Sequence, residues 1–406
     1  MSTADTTPPT EESSTDHPTP PAQSSGAPAA RPRPRRRHVT LWVAVVVVVV
    51  ASVGAYGAYH YLSAPKGCST NSHCLVVWTY SSFFGSGAYP NASRVALIDN
   101  FQNATGSTVQ LTYVSTGDLV SDLKLAKPGT MPDVIVGLDE LTAPQADASG
   151  FLIPYSSPAL TGVPSSLVGQ IAPDHTVTPY EWGYLGVDYN VSFDAANGNG
   201  LSQGDFFQNV AGSPTLAKQF LFSDPLLGDI TGEEFLAWEV EYYQNVLHKN
   251  WTTFFSAVAP YVHPAADWST GFSEFSAGQY ASFVSYTTDE AYNIYFGYGT
   301  WMNSTVAQHA GTSYGWKTIY GAGLVKGTHA QSLGEKFIDY LLSPTVQSQI
   351  PVNEWEYPAV ASTTLPSAYD WSFPPSQISA LNDDTTPIQS SYQLGYWTSE
   401  LQNIIA

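Results

Sequence analysis

Positive charge is what this sequence most lacks. Of 406 residues only 14 are Lys or Arg, and five of those are gathered at Arg31, Arg33, Arg35, Arg36 and Arg37. Against 34 acids this leaves a net charge of −20, which argues against a nucleic-acid partner, because phosphate backbones require a basic footprint. Charge of either sign is thin, at 12% of residues, roughly half the usual share for a soluble protein. Cysteine is limited to Cys68 and Cys74. Two thiols so close allow a small-loop disulfide in an oxidising compartment, whereas a metal site would find only His73 nearby. No His-Glu-x-x-His zinc motif occurs, which argues against a zinc hydrolase of that type.

Aromatic rings are abundant instead. They make up 13% of the chain, with 25 Tyr and 11 Trp, and hydrophobic residues reach 43%. A sizeable core is therefore affordable in a length that suits two ordinary domains. Acidity with aromaticity favours cationic or neutral ligands. A surface so poor in charge and so biased to acids also suits an acidic medium, where many carboxylates would be neutral.

Residues 1–38 are rich in Pro, Ser, Thr and Ala, lack apolar periodicity, and are expected to be a disordered cytoplasmic tail. Residues 39–62 are almost wholly apolar and exceed the roughly 20 needed to span a bilayer, which predicts a transmembrane anchor. The Arg cluster before them places the N-terminus in the cytoplasm. The competing reading is a cleaved signal peptide, whose apolar core would be shorter, about 7–15 residues. Residues 63–74 form a linker, outside the cell with everything that follows, as a single-pass membrane protein requires. Asn-x-Ser/Thr sites at Asn91, Asn103, Asn190, Asn250 and Asn303 permit glycosylation.

The remainder reads as alternating strands and helices. Strands are expected at 75–80, 108–114 and 133–138, with helices at 92–104, 119–126 and 140–149 between and after them. This order implies a parallel, doubly wound α/β sheet. A long glycine-punctuated strand at 182–189 leads into a second α/β unit with a helix at 233–250 and a strand at 281–284. A second extended crossing follows at 314–325, then helices at 331–342, 344–349 and 390–405. The domains so drawn are a lobe at 75–180, a second lobe at 181–315, and a return crossing with C-terminal helices at 316–406. After the strand at 281–284, Thr287 and Glu290 fit a capping box, which starts a helix near Thr287 with Tyr286 and Tyr292 on either side of the turn. Ligands of α/β sheets collect at such a place, outside the carboxyl end of a strand.

Two α/β lobes joined by two extended crossings is the plan of a type-2 periplasmic binding protein. The segments from about 75 to 405 further resemble the thiamine-binding subunits of ABC importers. The resemblance rests on Thr79-Tyr80-Ser81-Ser82-Phe83, Asp133 to Asp139, Pro179 to Tyr184, Asp224-Pro225, Asp267-Trp268-Ser269, Ser285 to Thr288 with Ala291-Tyr292, and Ile350-Pro351 with Trp355-Glu356-Tyr357-Pro358. It implies a non-catalytic, monomeric receptor that hands thiamine or its phosphates to an importer permease and its ATPase, with no cofactor and no metal. The ligand cage it implies comprises Tyr80, Trp268, Tyr286, Tyr292 and Trp355, with Ser81, Gly117, Asp139, Thr231, Thr287, Thr288 and Tyr357 as further ligand contacts. The chemistry agrees independently: thiamine has a flat aminopyrimidine that stacks on rings and a cationic thiazolium attracted to ring faces. Departures are Ser81, where the family often has Asp, and an extra residue in Leu226 to Gly232, which makes Thr231 an approximate counterpart.

Two other readings stand beside it. The same fold could take a polyamine, ferric iron or an anion, although the tryptophans argue against iron. An extracellular hydrolase could pair Glu181 with Asp139 or Glu274, but with so many acids a pair of carboxylates is an unspecific signal.

Overall fold

The computed structural model describes residues 68, 73–80, 82–84, 90–114, 119–127, 129–383 and 386–405. The tail, the apolar run 39–62, Ser81 and Gly117 lie outside the described residues. Among the described residues no helix is long and apolar enough to cross a membrane. Cys68 is disulfide-bonded to Cys74, with 5.2 Å between their Cα atoms, so the linker is tied to the start of the first strand.

One mixed sheet runs through the folded part of the chain. Its principal strands are β1 (Cys74–Tyr80), β2 (Thr108–Val114), β3 (Val134–Leu138), β4 (Val177–Asn190), β5 (Phe220–Leu221), β6 (Ser282–Tyr286) and β7 (Lys317–Val325), in the spatial order β2-β1-β3-β7-β4-β6-β5. β1 is parallel to both β2 and β3, as the alternating strand–helix pattern requires. Every residue of β3 is buried, which is how a central parallel strand covered on both faces should read.

The two crossings are β4 and β7. The first half of β4 pairs antiparallel with β7, from Val177 to Tyr184; its second half pairs with β6 and with the short strand Met302–Thr305. Two cores result. One gathers Leu75, Val77, Val134, Ile135, Phe337 and Ile338; the other gathers Leu185, Phe207, Phe235, Trp238 and Trp397. Trp182 on β4 packs against both. The C-terminal segments divide between them: helix Gln331–Leu341 joins the first core and the long terminal helix Thr386–Ile405 joins the second.

Three helices matter for the site: α1 (Ile230–Glu241), α2 (Trp268–Ser276) and α3 (Asp289–Tyr295). Asp229 caps α1 by accepting from the Gly232 N–H, and Asp267 caps α2 by accepting from the Thr270 N–H. The expected helix at 233–250 is instead α1 followed by a π turn at Tyr242–Val246. The capping box expected at Thr287 does not form. α3 begins two residues later, and the Glu290 carboxylate accepts from the backbone N–H of Ser304 on the neighbouring strand instead. A tertiary hydrogen bond has outcompeted the local one.

Candidate functional site

Between the two cores lies a cleft of about 530 Å³, the size of a small-molecule site. β1 delivers Tyr80 from the first lobe. The end of β6 delivers Tyr286, and α2 delivers Trp268 and Phe272. Tyr292 comes from α3, and Trp355 from the turn after the short helix Ile350–Asn353. All five aromatics expected in the cage therefore line one cleft, as does Thr231.

The rings support one another edge to face and face to face. Tyr292 stands 5.2 Å from Trp355 at an interplanar angle of 87°, and Trp268 stacks on Phe272 at 5.1 Å. The Trp268 indole N–H donates to Ser285 Oγ at 2.9 Å, and the Trp268 backbone N–H donates to Asp229 Oδ2 at 3.2 Å. Both bonds hold the ring at the wall. Trp355 has φ of 61°, a left-handed conformation unusual for a bulky residue. That conformation sits between Glu354 and Glu356, and all three side chains line the cleft.

Other expected residues lie elsewhere. Asp139 is not at the cleft wall: its Oδ1 accepts from the backbone N–H groups of Leu141 and Thr142 and from the Thr142 hydroxyl, closing the turn after β3. Thr287 and Thr288 are buried beneath the β6–α3 turn and do not line the cleft. The methyl of Thr287 packs over Gly186, where an added Cβ would meet it at 2.8 Å. Tyr357 turns away to pack on Trp182 at 5.0 Å and Tyr369 at 5.5 Å. Glu274 does not reach the cleft either, so the carboxylate pairs considered for hydrolysis are not assembled around Glu181.

What the sequence reading missed is the pair of glutamates flanking Trp355 and one further ring. Tyr320 on β7 lines the cleft and shares a hydrogen bond with Tyr286, hydroxyl to hydroxyl, at 2.8 Å. It is placed by an irregularity in β7: pairing to β4 shifts register between Tyr320 and Gly321. Gly321 is needed there, because a Cβ would come within 2.4 Å of Val177 Cγ1. Glu181, Glu354, Glu356, Asp229 and Asp289 also line the wall, and no Lys, Arg or His is among the described lining residues. The Tyr80 hydroxyl lies 3.1 Å from Glu181 Oε1 and 2.9 Å from Glu354 Oε2.

Carboxylates this deep ionise reluctantly. Burial pushes Glu354 up to about 7, although hydrogen bonds from Phe84 N–H and Tyr80 oppose the rise. Burial, then the neighbouring Glu354 and Glu356, hold Glu181 well above the carboxylate range. Glu356 is raised by burial and by Asp289 and Glu354. Asp229 and Asp289 are raised in the same direction, again chiefly by burial. The cleft thus combines π faces with acids that burial raises above the ordinary carboxylate range, and no positive side chain is among its described lining residues. Among the described residues no group of His, Cys, Asp and Glu is arranged to hold a metal ion.

Comparison with known proteins places this geometry. At 26% identity over 305 residues, the chain resembles a thiamine-binding periplasmic protein of Brucella abortus biovar 1 (strain 9-941), covering 73% of this chain and 82% of that one. Its counterpart in Escherichia coli (strain K12) is 23% identical over 339 residues, covering 82% and 93%. Among solved structures, a periplasmic thiamin binding protein superposes with a TM-score of 0.68 at 21% identity, covering 82% of this chain and 96% of that one. A periplasmic binding protein from Actinobacillus pleuropneumoniae with fructose-6-phosphate bound reaches 0.66 at 14% identity, covering 82% and 98%. A ferric binding protein from Campylobacter jejuni reaches 0.63 at 15%, covering 80% and 99%. These structures share the two-lobed fold while their ligands differ. The family model for bacterial extracellular solute-binding proteins matches residues 86–348, and to that family the chain belongs.

Proposed function

We propose that this protein is the thiamine receptor of an ABC importer. The observation that carries the reading is the cleft: rings from both lobes face one another across a wall of carboxylates without a basic residue among the described lining groups. Such a site suits a ligand that is flat, aromatic and cationic. An aromatic face attracts a desolvated cation by up to about 2 kcal/mol, and the carboxylates add a field of the same sign. The printed names of the Brucella and Escherichia relatives point to the same ligand. In this reading the chain binds and releases its ligand unchanged, acts as a monomer, and docks on an importer permease served by an ATPase. The apolar run 39–62 anchors it to the membrane, with the Arg cluster inside the cell and the binding lobes outside.

Titration calorimetry with thiamine on the protein from about residue 64 onward tests the reading, together with mass spectrometry of ligand released from the purified protein. Saturable binding and recovery of intact thiamine are expected. A polyamine is the second reading, favoured by Glu181, Glu354 and Glu356 lying together. Heat with spermidine and none with thiamine would establish it instead.

A further inference from the structure

Glu181, Glu354 and Glu356 converge on one stretch of cleft wall from two parts of the chain. Glu181 lies on β4; the other two flank Trp355. Glu181 and Glu356 are 1% and 4% exposed, and Oε2 of each has no hydrogen-bond partner. The seat of Glu356 is cut into the crossing strand: a Cβ on Gly183 would lie 1.8 Å from Glu356 Oε2. Among the described residues, none of the groups facing the three acids is positive. Glu181 faces Tyr80 and Tyr180, and Glu356 faces Asp289, Tyr286, Tyr357 and Tyr369.

Three neighbouring carboxylates in so little water cannot all be ionised without a counter-charge. In the empty cleft that counter-charge is protons. A ligand carrying a fixed positive charge would supply it from outside, and a proton would then be free to leave.

We propose that Glu181, Glu354 and Glu356 form a cation-for-proton exchange site, in which the entering charge of the ligand displaces a proton to the solvent. The exchange balances: one fixed positive charge enters, one proton leaves to buffer, and the net charge enclosed by the lobes is unchanged. The raised position of Glu354, about 7, sets where the trade operates. Below it each pH unit of acidification weakens cation binding by up to about tenfold per proton released. The site would therefore load in neutral surroundings and unload where protons are plentiful. This inference rests on the cationic ligand of the proposed function.

Calorimetry with thiamine at pH 6.5 tests it, run in two buffers of very different ionisation enthalpy such as phosphate and Tris. A difference in observed heat corresponding to about one proton released per thiamine bound is expected. Affinity should rise between pH 6 and 7. Glu354→Gln and, separately, Glu356→Gln should reduce the proton count while far-ultraviolet circular dichroism reports an unchanged fold. Should either variant fail to fold, infrared difference spectra of the unaltered protein read the same event, as loss of the protonated-carboxyl C=O stretch on adding thiamine. Thiamine binding with identical heats in both buffers and no change in that stretch would overturn the exchange while leaving the receptor reading intact. If spermidine binds in place of thiamine, the same buffer comparison applies to it, and proton release then supports the exchange without the thiamine assignment. If neither cation binds, both proposals fall.

Discussion

Raising the pH from 5 to 8 should destabilise this protein, and Glu290 shows by how much. Its side chain is 5% exposed; one oxygen accepts from the Ser304 N–H and the other has no partner. Burial pushes the carboxyl up from 4.5 to about 8. In the unfolded chain it ionises near its ordinary value. Between those limits the folded protein holds a proton that the unfolded chain has lost, so stability is full below about pH 4.5 and drains away as the pH rises toward 8. At about 1.36 kcal/mol for each pH unit, this single group removes up to about 5 kcal/mol, a large part of a typical folding free energy. Glu239 acts in the same direction: it is fully buried, both oxygens lack partners, and burial alone raises it. The informative perturbation is Glu290→Gln. It keeps a carbonyl for the Ser304 N–H and removes the titration, at a pH-independent cost of about 1–3 kcal/mol for the new unpartnered amide. Urea unfolding at pH 5, 6, 7 and 8 is the assay. The wild type should lose stability steadily, whereas the variant should start lower, fall less steeply by one proton's worth, and overtake it by pH 8. Equal slopes for the two proteins, or a wild type as stable at pH 8 as at pH 5, would refute the reasoning.

Three other outcomes are expected. Trp355→Ala should weaken thiamine binding by roughly 1–3 kcal/mol in calorimetry, because it removes a stacking face and the support of Tyr292; undiminished affinity would take Trp355 out of the cage. Saturating thiamine should reduce the radius of gyration measured by X-ray scattering, since the cage rings sit on both lobes; an unchanged radius would count against closure. Thiamine should outcompete thiamine monophosphate at pH 7, because the cleft wall carries carboxyl groups, Asp229 and Asp289 among them, and no basic side chain among its described lining residues, and the gap should narrow as falling pH protonates acids that burial already raises above the ordinary carboxylate range. Equal affinities at pH 7 would show that the phosphate avoids them.

The sequence showed the rings of the site more readily than its acids. β1 and β3 are apolar runs whose burial follows from composition, and the aromatics of the site fall together once the two lobes are drawn. Glu354 and Glu356 flank the very Trp355 that was singled out, yet an acid in sequence reads as solvated surface. Only the fold shows that β4 brings Glu181 up against them. Tyr320 depends on a register shift at Gly321, and a strand pattern alone does not locate such a shift. Glu290 satisfied a local capping pattern, but a strand 14 residues away claimed its carboxylate. Asp139 was misplaced for the opposite reason: its bonds to Leu141 and Thr142 are local, and the Asp139-x-x-Thr142 spacing is the signal for them.

The sheet order also constrains how the molecule is made. β3 is flanked by β1 on one side and by β7 on the other, and β7 lies some 180 residues later in the chain. A chain emerging in order from its N-terminus completes β1, β2 and β3 long before the strand that closes them exists. Until residue 325 is available, β3 and the first half of β4 present open edges of apolar backbone, the kind of surface that pairs with the wrong partner. Neither lobe is thus a separate piece that could mature while the other is being made. The later crossing closes the sheet between the two lobes, and contacts so distant in sequence make folding slow. A chain built this way has a long interval in which it must be kept from its neighbours, and its two halves become one protein only when β7 is laid between β3 and β4.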